Sequence, residues 1–328
     1  MRIAMVTPGR VPARLYGGTE RVVGWLVAAL AGLGHEVVLA GPPGCEAPQA
    51  ESVIALDMPA DPNAAAVDPT PHLPPGIDVL HLHFASGLDF GLPALKTVHG
   101  YPFHRQGEDV LARREQFGPE YSFVSRAHAE TCGWPEADFV HNGLELSEYV
   151  FREAKQDFLL FLGKVDWNVK GLPFALRLAR EEGMRLVIAG DFLDPRFYEQ
   201  ELKAQLGGGI EYAGPVGGAD KAELLASARA LVFHTLWPEP FGLAAIEALA
   251  SGTPVLATYN GALPEIMVQG VTGFMARSFP ETREQLRRLD SIDPKACRRR
   301  VEERFTARRM AEGYLALYAK RIRAFAGR

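Results

Sequence analysis

The sequence predicts an α/β protein of two domains, each a parallel sheet with helices on both faces. Three observations carry that expectation. Short apolar segments of strand length alternate with helical patterns along most of the chain, a rhythm that specifies parallel strands joined by crossover helices. The length, 328 residues, accommodates two domains of ordinary size. A polar segment, Glu145 to Gln156, separates two strand patterns and marks a hinge, dividing the chain into residues 1–150, 151–305 and a closing helical stretch 306–328.

Composition narrows the function classes. Apolar residues make up 47% and charged residues 23%, ordinary for a soluble globular protein. A net charge of −5 gives no reason to expect nucleic acid as the main partner. Cys45, Cys132 and Cys297 are odd in number and widely spaced, which suggests neither a disulfide framework nor a zinc site and suits a reducing cytoplasm. The opening MRIAMVTPG is too short an apolar run for a signal peptide and reads as a first strand. The run Trp25 to Gly34 is far below a membrane span of about 20 residues.

In order, a strand Ile3 to Val6 leads through a Pro/Gly-rich loop to Gly17-Gly18-Thr19-Glu20, which opens a helix to about Gly32, followed by a strand Val37 to Ala40. Gly17 and Gly18 sit where a phosphate-binding turn would be. Because they are adjacent, the G-x-G-x-x-G dinucleotide spacing is absent and a nicotinamide enzyme is not expected. Residues 41 to 76 form a Pro/Ala-rich excursion around one strand, Val53 to Leu56. Val79 to Phe84 and Leu95 to Val98 are strand-like and end in HLHF and TVHG. His81 and His83 would share one strand face, which raises a metal site, but the spacing offers no third ligand. Tyr121 to Ser125 and Phe139 to Leu144 complete the first set of strands, with Arg126 opening a short helix.

The second set starts with Phe158 to Leu162 and continues with Leu186 to Ala189, a helix from about Pro195, Ile210 to Tyr212, a helix from about Ala219, and Ala230 to Phe233. Gly190-Asp191 and Gly214-Pro215-Val216 follow successive strands, the usual place for the rim of a base-binding site. Then comes the most informative stretch, Phe233 to Phe274. A helix is expected from Pro240 or Phe241 to Ser251-Gly252, with Pro254 forbidding continuation. Within it Glu247 stands alone among apolar residues, so it either faces water or has a buried polar partner. Glu239 lies just before the first turn, where unsatisfied amides favour negative charge.

Glu239, Phe241, Gly242 and Glu247, then Gly252-Thr253-Pro254-Val255 and Gly261-Ala262-Leu263-Pro264-Glu265, resemble in order and spacing the signature of the retaining family 4 glycosyltransferases, the glycosyl transferases group 1. The resemblance implies the GT-B fold, two Rossmann-like doubly wound domains facing each other across a cleft, the first on the acceptor side and the second holding the nucleotide-sugar. It implies that Glu239, Phe241, Gly242 and Leu243 contact donor sugar and phosphate and that Glu247 holds the ribose. Gly17 and Gly18 resemble the family's loop over the donor phosphates, and His99-Gly100 its histidine near the transferred sugar. Gly163-Lys164 and Lys170-Gly171 resemble its Gly-Arg and Lys-Gly pairs, whose cations hold the diphosphate. Here Lys164 stands at the arginine position and lacks the planar two-point grip of a guanidinium. The last helix, Ala307 to Phe325, resembles one that crosses back to the first domain.

The expected activity is transfer of a hexose-type sugar from a nucleoside-diphosphate donor, a UDP-sugar ahead of a GDP-sugar, to an unidentified small-molecule, glycan or lipid-linked acceptor. No Asp-x-Asp occurs in the chain, and two lysines with a helix start are the alternative means of stabilising a leaving diphosphate. Transfer is therefore expected to be metal-independent, with His99, Glu239, Lys164 and Lys170 as the catalytic set, Gly190 and Val216 on the base rim, and no resident cofactor. The rival readings are a nucleotide-sugar epimerase of the same architecture and a non-catalytic nucleotide-sugar-binding protein. The segment Thr282 to Arg309 holds nine arginines and a lysine among five acids; solvated ion pairing is favoured there over peripheral membrane contact.

Overall fold

A computed structural model describes residues 1–13, 15, 17–59, 67–101, 118–166 and 168–327. The chain forms two compact units. The first comprises Met1–Ala13, Gly17–Leu144 and Thr306–Arg328, and Glu145–Phe305 makes up the second.

The sheet of the first unit contains β1 (Arg2–Val6), β2 (Glu36–Gly41), β3 (Ser52–Ala55), β4 (Val79–Leu82), β5 (Ala94–Val98), β6 (Tyr121–Phe123) and β7 (Asp138–Phe139). Their spatial order is β3-β2-β1-β4-β5-β6-β7, all parallel. Strands buried on both faces need continuous apolar runs rather than alternation, and Ile3 to Val6 and Val37 to Ala40 are wholly buried. Helix α1 (Gly18–Gly32) packs its Val22, Val23, Leu26, Val27 and Leu30 stripe inward, and α2 (Arg126–Thr131) is capped by Ser125, whose side chain accepts from the His128 amide. The strand expected over Phe139 to Leu144 is shorter. Only Asp138–Phe139 pairs with β6, because the Leu144 backbone turns to bridge Thr306 instead.

The second unit repeats the plan with β8 (Phe158–Leu162), α3 (Leu172–Glu182), β9 (Arg185–Ala189), β10 (Ile210–Gly214), α4 (Gly218–Ser227), β11 (Ala230–Phe233), α5 (Leu243–Ala250), β12 (Val255–Thr258), α6 (Leu263–Ile266), β13 (Gly273–Ala276), α7 (Phe279–Leu286) and α8 (Pro294–Arg304). The order is β10-β9-β8-β11-β12-β13, again parallel. Counted from its own first strand, the second sheet reads 3-2-1-4-5-6 and the first has the same order with a seventh strand added at its end, the Rossmann order, which binds ligands beyond the strand ends where the winding reverses. In these sheets the reversals fall at β1/β4 and β8/β11. The helix expected from Pro195 is instead a π-type turn over Tyr198–Leu202 followed by a 3-10 turn over Lys203–Gln205.

Helix α9 (Ala307–Ala326) belongs to the first unit, against α1, β4 and β5, with Tyr314 and Tyr318 fully buried. The arginines of 282–309 are largely committed to protein partners. Arg298 donates to the Ala250 carbonyl at 2.7 Å, Arg300 to Glu265 and Ile266 carbonyls at 2.7 and 2.9 Å, and Arg283 to Glu182. Among the described residues no helix is long and apolar enough to cross a membrane.

Candidate functional site

Of the residues singled out in the second unit, Lys164, Lys170 and Glu239 lie on the loops after β8 and β11, at the reversal, whereas Gly190 and Val216 follow β9 and β10 and Leu243 and Glu247 stand on α5. Lys164 follows β8 through Gly163, is buried, and its Nζ donates to Asp191 Oδ2 at 2.8 Å. Asp191 follows β9 through Gly190, whose φ of +141° and position allow nothing but hydrogen at Cα: a Cβ there would stand 1.8 Å from the Gly163 carbonyl oxygen. Gly190 thus keeps the loops carrying Lys164 and Asp191 in register. Gly190→Ala is expected to destabilise the protein by at least about 1–3 kcal/mol and to loosen the Lys164 pair; urea unfolding midpoints check it. Val216 sits half-buried in the loop after β10, where Tyr212 Oη donates to the Gly190 carbonyl at 2.8 Å.

Lys170 and Glu239, 69 positions apart, are in direct contact: Nζ to Oε2 is 3.0 Å. The same oxygen accepts from Trp237 Nε1 at 3.0 Å, and Lys170 Nζ stands 4.7 Å from the centre of the Trp237 ring. The Glu239 backbone is fixed from the β12–α6 loop. Ala262 N donates to its carbonyl at 2.9 Å, Asn260 Nδ2 donates to the Trp237 carbonyl at 2.7 Å, and Gly261, at φ +53°, leaves no room for a Cβ beside Glu239 N. This clamp explains why α5 starts later than expected. Pro240 and Phe241 stay outside the helix, Gly242 caps it in the left-handed region at φ +102°, and Leu243 is its first residue. Phe241 is buried with its ring edge-on to Phe305.

Glu247 is 1% exposed. Its carboxylate accepts from Lys221 Nζ at 2.8 Å and from Tyr149 Oη at 2.7 Å, both at Oε1. Sequence reasoning demanded a polar partner without finding either one. The only signal for Lys221 was its place four residues before Leu225 on the buried stripe of α4; nothing local marks Tyr149. Trp237 was likewise missed. Among the described residues of the second unit, three lysine–carboxylate pairs, Lys164–Asp191, Lys170–Glu239 and Lys221–Glu247, are held largely out of water, where Coulombic interactions are strong. A phosphate oxygen offers a lysine Nζ the same kind of acceptor as a carboxylate oxygen.

In the first unit, Gly17 and Gly18 open α1, and His99 follows β5. His99 Nε2 and His83 Nδ1 are 2.8 Å apart. Both ring nitrogens of His81 are engaged: its Nδ1 is 2.7 Å from Tyr318 Oη and its Nε2 is 2.7 Å from Thr97 Oγ1. His128, on α2, lies with Nε2 3.0 Å from the Gly100 carbonyl. Burial pushes all four imidazoles down, His99 to about 3 with a further push from His128, and His128 to about 4. Among the described residues no cluster of three or more His, Cys, Asp or Glu is arranged to hold a metal ion.

A family profile described as glycosyl transferases group 1 matches residues 156–289. The chain is similar to the MMP α-(1→4)-mannosyltransferase of Mycolicibacterium hassiacum, 33% identical over 282 residues, which cover 71% of this chain and 66% of that protein. It spans less than two thirds of the first two curated relatives, 31% of one and 66% of the other. Among solved structures, AviGT4, a glycosyltransferase involved in avilamycin A biosynthesis, superposes with a TM-score of 0.77 at 29% identity, covering all of this chain and 98% of that one. Anabaena HepE in complex with UDP-glucose superposes with a TM-score of 0.74 at 16% identity over 98% of this chain and 100% of that one, a likeness of fold.

Proposed function

Because the glycosyl transferases group 1 profile matches residues 156–289 and the chain has the GT-B fold, we propose that it is a glycosyltransferase that moves a hexose-type sugar from a nucleoside-diphosphate donor to an acceptor, with retention of anomeric configuration and without a metal ion. The observation that carries this reading is the contact of Lys170 with Glu239 ahead of a helix whose one carboxylate, Glu247, is buried. A diphosphate and a sugar need cations, helix-start amides and a carboxylate together, and this loop brings those groups to one strand end.

In this reading Lys164 and Lys170 neutralise the departing diphosphate, and the backbone amides of Phe241, Gly242 and Leu243, which lead into α5, face its oxygens. Glu239 accepts from hydroxyls of the transferred sugar and Glu247 from the ribose, while Gly190 and Val216 border the base and Gly17 and Gly18 the phosphates. His99 orients the sugar. A UDP-sugar is placed ahead of a GDP-sugar, in keeping with the fold neighbour that binds UDP-glucose. The acceptor attacks on the face the diphosphate leaves, and a diphosphate oxygen takes its proton.

The test is a thermal-shift screen of nucleoside diphosphates and their sugars, followed by mass spectrometry of acceptor mixtures. Product formation with the anomeric configuration kept, at a rate unchanged in EDTA, is expected. Conversion of the donor without any acceptor would mark an epimerase, and binding without turnover a non-catalytic protein. Glu239→Gln is expected to lower kcat about a hundredfold while leaving nucleoside diphosphate affinity nearly intact, read by initial rates beside calorimetry.

A further inference from the structure

His83 and His99 directly follow the adjacent strands β4 and β5, and their rings meet through a single hydrogen bond of 2.8 Å between His83 Nδ1 and His99 Nε2. Four ring nitrogens are involved and their roles are constrained. Both imidazoles are neutral, since burial lowers both and no carboxylate partners either ring among the described residues, so each carries one proton. His83 is 2% exposed, and its Nε2 is buried with no hydrogen-bond partner. A buried N–H without an acceptor is rarer and more costly than a bare lone pair, so the His83 proton sits on Nδ1. That proton is the one in the bond, which makes His99 Nε2 the acceptor and places the His99 proton on Nδ1. His99 is half-buried, and its Nδ1 has no hydrogen-bond partner among the described residues. The neighbouring pair follows the same logic: His128 Nδ1 is buried and unpartnered, so its Nε2–H donates to the Gly100 carbonyl and fixes the loop just after His99.

We propose that His83 is a positioning residue that sets the tautomer of His99, so that His99 presents an N–H at Nδ1 to an acceptor oxygen of the transferred sugar and does not act as a base. The sugar as the recipient rests on the donor reading above; the tautomer does not. His99 Nδ1–H then gives a fixed donor toward a sugar hydroxyl oxygen, with the ring orientation held from behind by His83.

The experiment reads the tautomer directly, by nitrogen-15 long-range correlation spectra of histidine-labelled protein at neutral pH. Wild type is expected to show both His83 and His99 protonated on Nδ1. His83→Asn, whose amide donates from nearly the same place, is expected to keep the His99 tautomer and turnover within a few-fold. His83→Phe removes the donor. It is expected to release His99 to the Nε2–H form and lower kcat about tenfold to a hundredfold with donor KM unchanged. His99 protonated on Nε2 in wild type would overturn the proposal without any variant. So would equal loss of kcat in both variants with the tautomer kept in His83→Asn, which would make the role one of packing. Absence of transfer with every donor, beside the expected spectrum, would defeat the function reading and leave the tautomer standing.

Discussion

Replacing Glu247 with alanine is expected to lower stability by about 3–5 kcal/mol, because it leaves the Lys221 ammonium buried with its carboxylate gone. For a unit of this size that is a drop in Tm on the order of 10 °C. It should also abolish the stabilisation given by a nucleoside diphosphate, if the carboxylate grips the ribose. The two effects separate in the double variant Glu247→Leu/Lys221→Met. A buried ion pair replaced by apolar groups of similar volume is often neutral in stability, so Tm should recover toward wild type while nucleotide affinity stays lost. Calorimetric titration beside thermal unfolding checks both. Full nucleotide affinity in the stable double variant would show that Glu247 is a structural ion-pair member only.

The second large effect is acid sensitivity of the first unit. His81, His83, His99 and His128 all have folded-state values below the ordinary 6.5, from burial. Above 6.5 both folded and unfolded chains hold these rings neutral and no stability is at stake. As pH falls below 6.5 the unfolded chain takes up protons that the folded unit refuses, so stability declines until the folded values are reached, about 4 for His128 and about 3 for His99. Each ring contributes up to ~1.4 kcal/mol per pH unit. Their hydrogen-bond partners are hydroxyls, a carbonyl and one another, with no carboxylate among them; the Gly100 carbonyl favours a charged His128, and burial outweighs it. Urea midpoints should fall steeply from pH 6.5 to 5, and His128→Asn should make the slope shallower. A flat profile over that range would contradict the neutral cluster. In the second unit His234, lowered to about 4 by burial, adds one such proton.

The alternation of apolar strands and helices was legible because parallel strands covered on both sides leave no alternation to misread, and β1, β2, β8 and β11 fall where the apolar runs lie. The isolation of Glu247 among alanines and leucines announced a buried partner. The partner itself was not legible, because Lys221 and Tyr149 are 26 and 98 positions away and only the packing of α4 and the segment before β8 brings them in. The start of α5 was misplaced for a related reason. Proline suits a first helical turn, but the clamp of Asn260, Gly261 and Ala262 on the Trp237–Glu239 backbone overrides that preference. Strand periodicity placed His81 and His83 on one face and raised a metal site for which the spacing offered no third ligand; it did not show that Tyr318 and Thr97 engage both ring nitrogens of His81 or that His99 engages Nδ1 of His83.

Helix α9 fills the heart of the first unit with Tyr314 and Tyr318, yet it is made after the whole of the second. On the ribosome, residues 145–305 form one uninterrupted stretch able to condense as soon as it emerges, whereas the earlier-born sheet must wait with His81 and its neighbours uncovered until the final helix arrives. Truncation within α9 should therefore harm the part of the molecule translated first, and a chaperone binding nascent chains should dwell on residues 1–144 longest.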